Sequence, residues 1–147
     1  MNESKLDVKK KAVIEIAENL FLSQGLATTE MKEIARCASI SRSTLYRMFD
    51  SRETLAFAVA DKCLHELFDP KPMEIYGTDR SGFEILRSYS SNLIETMIQG
   101  VRYVKYLSEF DQMFSGDYPD TPEARKYVQF NRQRHDRQIL LNILRLG

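Results

Sequence analysis

One stretch constrains this chain more than any other: residues 28–49, TTEMKEIARCASISRSTLYRMF. With Met31 as the first position of a helix-turn-helix, apolar residues fall at the fourth, eighth, tenth, fifteenth and eighteenth positions: Ile34, Ala38, Ile40, Leu45 and Met48. That spacing predicts two short helices joined by a tight turn. Ala35 is small enough for the second helix to cross close by, and bulk there would push the pair apart. Ser39 sits at the turn, and Ser41 stands where a hydroxyl caps the second helix. If Ser39 is left-handed, serine costs about 1 kcal/mol against glycine.

The second helix carries its polar residues outward. Arg42, Ser43, Thr44 and Arg47 point away from Ile40, Leu45 and Met48. A DNA major groove admits one helix, and hydrogen-bond donors and a methyl group near the helix start can reach base edges. Tyr46 and Ser41 are placed for phosphate oxygens instead. The alternative is an ordinary pair of packed helices whose polar face is merely solvated.

Composition narrows the class. The chain has 147 residues, 43% hydrophobic and 29% charged, ordinary for a soluble globular protein. Its 21 basic and 21 acidic residues cancel, which argues against a sequence-blind nucleic-acid coat. A specific reader needs only a basic cluster on one face. Cys37 and Cys63 both fall in predicted helices and read as reduced thiols packed as small apolar groups, which suits the cytoplasm. The N-terminal MNESKLDVKKK lacks the apolar core of a secretory signal, and no apolar run approaches the roughly 20 residues of a membrane span. His65 and His135 are far apart, and no glycine-rich phosphate loop is present, so neither enzyme, metal nor cofactor is expected.

In chain order, Asp7 is the expected cap of a first helix over 8–23, with Val13, Ile16, Ala17, Leu20 and Phe21 as its stripe and Gly25 ending it in the αL manner. Lys9, Lys10 and Lys11 form a basic start. They read as a solvated helix end or, for Lys9 and Lys10, as phosphate contacts. Thr29 is the expected N-cap of the next helix. Ser51 opens a fourth helix that runs to about Phe68. Arg52 lies in its first turn, poorly placed for the helix dipole but well placed for phosphate. Residues 69–80, DPKPMEIYGTDR, mark a break, with Met73, Ile75 and Tyr76 packing down on the body. A helix over 81–99 carries Leu86, Tyr89, Leu93, Ile94 and Met97 on one side; Gly100 interrupts, and a helix over 101–114 comes next. Thr121-Pro122-Glu123 starts a last helix that runs to about Arg145. Its polar middle reads as a solvated face, or as Arg134 or His135 turned inward to a polar ligand. The fold class is all-α: four short helices, a break, then three longer ones. The divisions are 1–50 for the helix-turn-helix head, 51–68 for a linking helix and 69–147 for a helical body.

Residues 20–59 resemble the DNA-binding domain of the tetracycline-repressor (TetR) family of bacterial regulators. The matching signs are Leu20-Phe21, Gly25, Thr28-Thr29, Ile34-Ala35, Ser41, Thr44-Leu45-Tyr46, Phe49, Ser51-Arg52-Glu53 and Leu55. Ser39 stands where glycine is usual, Ser43 replaces a frequent glycine, and Arg52 replaces a frequent lysine. The resemblance implies a repressor that leaves a palindromic operator on double-stranded DNA when a small-molecule effector binds; the alternative is a helical protein–protein adaptor. It also implies a backbone-phosphate contact at the start of the second helix, with Thr28 or Thr29 helping, and a fourth helix whose tilt sets the spacing of two heads in a homodimer. The equivalent body helices of the family enclose an effector pocket, for which Met97, Tyr103, Tyr106, Phe110, Met113, Tyr127 and Phe130 are the candidates. Plain core packing is the competing reading for each of them. Family members usually continue into two further helices that build the dimer interface. The chain stops inside the pattern ILLNILRLG, so a shortened chain or a natural short form is expected, without that surface.

Overall fold

The computed structural model describes residues 3–68 and 81–133. The described residues form α1 (Lys5–Gln24), α2 (Met31–Cys37), α3 (Arg42–Met48), α4 (Arg52–Phe68), α5 (Gly82–Gln99), α6 (Val101–Phe114) and α7 (Pro122–Gln133). The expected break at 69–80, the packing of Met73, Ile75 and Tyr76, and the last helix beyond Gln133, with Arg134 and His135, lie outside them. Among the described residues no helix is long and apolar enough to cross a membrane.

Hydroxyl caps start α1, α3, α4, α5 and α7, whereas α2 and α6 begin without a side-chain cap. Ser4, not Asp7, caps α1: its Oγ accepts from the Asp7 N–H at 3.1 Å, and the Asp7 carboxylate accepts from the Ser4 N–H at 3.3 Å. Asp7 thus completes a reciprocal capping box, and the helix begins three residues earlier than its apolar stripe suggests. The Ser4 hydroxyl holds the Asp7 carboxyl below its ordinary range. Ser81 and Glu84 repeat the box on α5, and Thr121 Oγ1 accepts from Ala124 N–H at 3.2 Å to start α7. Among the described residues the first helix, at 20 residues, is the longest, so the expected division into short and long helices does not hold there. Gly25 ends it at φ 98°, ψ 149°, an extended mirror conformation rather than αL, open to glycine alone at little cost.

The centre of the molecule is α4. It is buried along most of its surface, through Leu55, Ala56, Phe57, Val59, Ala60, Cys63, Leu64 and Leu67, and α1, α6 and α7 pack against it. A helix apolar on nearly every side belongs in a core. The Phe57 ring meets Phe110 and Phe114 from α6 at 4.8 Å between centroids, with Tyr118 at 5.3 Å and Tyr127 of α7 at 5.8 Å. Edge and tilted pairs of this kind add roughly 0.5–1.5 kcal/mol each beyond area burial. Tyr106 stacks on Phe21 of α1 at 5.9 Å, and its buried hydroxyl donates to the Ala56 carbonyl at 2.8 Å. Between α1 and α4, Lys62 donates to the buried Glu18 carboxylate at 2.5 Å.

Two sequence expectations fail here. Burial pushes the Cys63 thiol up to about 12, as a packed thiol should behave, but Cys37, the last residue of α2, is exposed. On α5 only Tyr89 is buried, with Ile85 and Leu93 packed beside it. Leu86, Ile94 and Met97 are exposed, as are Phe83 at 75% and Ile98 at 70%. The apolar side of α5 is wider than the contact it makes with α6. Gly100 stands at the join between them, pressed against α4 so closely that a Cβ there would collide with Leu67.

Candidate nucleic-acid interface

The turn between α2 and α3 closes on backbone bonds: Ala38 N–H to Ile34 O at 2.9 Å, Ser39 N–H to Arg36 O at 3.1 Å, and Ile40 N–H to Ala35 O at 3.0 Å. Ser39 is left-handed, with φ 55°, as its place in the turn required. Ala35 is buried at the crossing, and Leu45, fully buried, pins α3 from below. Ser41 caps α3: its Oγ accepts from the Thr44 N–H at 3.1 Å and lies 2.8 Å from Thr44 Oγ1 and 3.1 Å from Ser43 Oγ.

This clamp holds α3 outward. Arg42, Ser43 and Arg47 are exposed, Thr44 is half-buried, and Tyr46 is 46% exposed. Five donor-bearing side chains and the Thr44 methyl group thus stand at the leading end and outer side of a short helix, in the arrangement that major-groove reading needs. Beside them lies an open hollow of about 580 Å³ lined by Lys32, Glu33, Ala35, Arg36, Ile40 and Arg42. Lys32 is paired with Glu30 at 2.9 Å. Arg36, one turn further along α2, was missed by the sequence reading; its signal was the four-residue step from Lys32, on the side opposite Ile34.

The residues expected at phosphates separate into two groups. Lys9 is exposed on α1, and the Lys10 ammonium stands 5.9 Å from the Phe49 ring centroid, beside the end of α3. Thr28 is exposed, although its Oγ1 donates to Gln24 O at 2.6 Å. Thr29 is neither a cap nor exposed: it is fully buried, donating to Gly25 O at 2.8 Å, and Glu30 occupies the cap position of α2 without a side-chain bond. The extended Gly25 turns the chain so that Thr29 folds back against the end of α1. Arg52 is half-buried, with Nη1 at 3.4 Å from both Ala27 O and Thr29 O, so its guanidinium brackets this same turn from α4.

The body candidates differ in burial. Tyr106, Phe110 and Tyr127 are packed into the core around Phe57, Tyr103 and Phe130 are half-buried, and Met97 and Met113 are exposed. Phe130 lies on His65 at 3.7 Å, and Tyr103 accepts from Arg102 at 2.8 Å. The packed three meet neighbouring rings, and Tyr103 and Phe130 pack against the edge of the same core.

A helix pair with an apolar crossing, a left-handed turn and an outward polar second helix, carried on a helical body, is a helix-turn-helix, a motif that recurs in proteins that read DNA. Comparison with known proteins agrees. A family model described as bacterial regulatory proteins, tetR family, matches residues 13–59. An uncharacterised helix-turn-helix regulator of Mycobacterium tuberculosis is 50% identical over 46 residues, covering 31% of this chain and 23% of the relative. The transcriptional repressor KstR2 of Rhodococcus jostii is 33% identical over 60 residues, 41% of this chain and 29% of the relative. The solved structure of the ketosteroid regulator KstR2 of Mycobacterium tuberculosis superposes with a TM-score of 0.57 at 20% identity, over all of this chain and 69% of that one. The match to the tetR family model thus covers the helix-turn-helix region and the first part of α4. The matches to these two curated relatives span less than a third of their length.

Proposed function

We propose that this chain is a sequence-reading transcriptional regulator, a repressor that leaves a palindromic operator when a small-molecule effector binds. The observation that carries the reading is the exposure of Arg42, Ser43 and Arg47 on a helix whose opposite side is fixed by fully buried Leu45. Arg42, Ser43, Thr44 and Arg47 read base edges. Lys9, Lys10, Thr28, Tyr46 and the Ser41 end of α3 meet phosphates, joined by Arg36, and these contacts set register rather than sequence. Two heads in a homodimer would meet half-sites about 34–36 Å apart. An effector acts only through a difference in its affinity for two body shapes, and α4, which meets both the head and the body, is the element whose tilt would carry that difference.

The test is fluorescence anisotropy of the full chain with DNA from upstream of its own gene and with a scrambled duplex, across a salt series. Selective, salt-dependent binding supports the proposal. Equal affinity for both duplexes at every salt concentration overturns it.

A further inference from the structure

The turn between α1 and α2 is held by a side chain from outside the head. Glu109 lies two turns from the start of α6 (Val101–Phe114), and its Oε1 accepts from the Leu26 N–H at 3.0 Å and from the Ala27 N–H at 3.3 Å. Leu26 is fully buried, so its N–H is out of reach of water and depends on that carboxylate. On the same face of α6, Tyr106 stacks on Phe21 of α1 and donates to Ala56 O of α4, and Phe110 packs on Phe57. The opposite polarity of the turn is satisfied from α4, where Arg52 meets the carbonyls of Ala27 and Thr29. One turn of the head is thereby held through its amides by α6 and through its carbonyls by α4.

We propose that Glu109 is a positioning residue: by binding the two amides of the α1–α2 turn, it fixes the orientation of the helix-turn-helix head on the body and makes that orientation depend on where α6 sits relative to α4. The proposal deepens the regulator reading above and, in its DNA-binding consequence, rests on it. A carboxylate accepting two N–H bonds is short-ranged and directional, so a small slide of α6 either carries the turn with it or releases it. No other part of the turn needs to change for the head to tilt, because α2 and α3 keep their own packing on Ile34, Ala35 and Leu45.

Three measurements on the full chain test this, with Glu109→Ala and the isosteric Glu109→Gln, which keeps a carbonyl acceptor. Amide hydrogen exchange at Leu26 and Ala27 should accelerate roughly 10- to 100-fold in the alanine variant, and the glutamine should restore most of the protection. The α3 amides should be unchanged in both, which excludes loss of the head's fold. Nitroxide labels on exposed Cys37 and on Gln112→Cys should report a narrow distance distribution with Glu109 or glutamine and a broadened one with alanine. On a duplex selected by the wild-type chain from a random pool, alanine should lower affinity roughly tenfold at an unchanged salt slope, because no phosphate contact is removed. Unchanged exchange at Leu26 and Ala27, an unbroadened distance in the alanine variant, or a glutamine that behaves as alanine does overturns the proposal. If the wild-type chain selects no duplex, the regulator reading fails by itself, and the exchange and distance measurements still decide the role of Glu109.

Discussion

Helices α3 and α4 adjoin in the chain with Phe49, Asp50 and Ser51 between them, and they are built on opposite terms. Of the seven residues of α3, Leu45 alone is buried; of the seventeen of α4, nine are. Both open on a serine whose hydroxyl accepts from the backbone N–H three residues on, at 3.1 Å in each case, so their starts are chemically the same. The difference lies in the company on their flanks. Ala56 and Ala60 let neighbouring helices come close to α4, whereas α3 offers its outer side to solvent as Arg42, Ser43, Tyr46 and Arg47. A helix that holds the molecule together and a helix that faces a partner can therefore be told apart by how damage to each is expressed. Damage to α4 should appear as lost stability; damage to α3 should appear as lost affinity in a protein that melts normally.

Phe57→Ala is the largest expected effect, because it removes a ring shared by α4, α6 and α7. It should destabilise the fold by about 3–5 kcal/mol in chemical denaturation. A loss below about 1 kcal/mol would place the core elsewhere and undo the contrast. Arg42→Ala should cost about 1–3 kcal/mol on operator DNA and relax its sequence preference, with an unchanged melting temperature. An equal loss on operator and random DNA would remove the base-reading role of Arg42. Ser39→Gly, in the left-handed turn before α3, should raise stability by about 1 kcal/mol or less, and a decrease would show that serine's φ of 55° is not strained. The smallest effect belongs to Asp61 on α4. Its Oδ1 is buried without a hydrogen-bond partner, with His65 Nε2 at 3.7 Å, and burial pushes its carboxyl above the usual range. A raised folded value means the destabilisation is absent below the unfolded value and grows as pH rises through the folded one. Asp61→Asn should therefore raise the melting temperature at pH 7 and lose that advantage in acid. An advantage independent of pH would assign the effect to packing instead.

The sequence made the head legible because its constraints are local. A five-position apolar pattern, a serine at the turn and a serine before the second helix each act within a few residues, and all three stand as expected at Ile34, Ser39 and Ser41. The start of α1 is ambiguous in sequence because Ser4 and Asp7 are two halves of one capping box, and either could be the cap when viewed alone. Thr29 departs from its expected place because its burial depends on the extended conformation of Gly25, four residues away, and on neighbours brought in by α4. Glu109 could not be read at all, because its partners lie more than 80 residues earlier and a carboxylate on a polar helix face carries no mark of the group it will meet. For the body candidates, apolar periodicity identifies which side of α6 or α7 turns inward but not whether the space found there is filled.

The bare stripe on α5 has a practical consequence for anyone handling the protein. Phe83, Ile94 and Ile98, with Val101 at the start of α6, present aliphatic and aromatic surface to solvent in the folded state. Dyes that fluoresce on apolar surfaces would bind there before any unfolding begins. A melting curve read from such a dye would start bright and understate the transition, whereas circular dichroism of its many helices would register it in full.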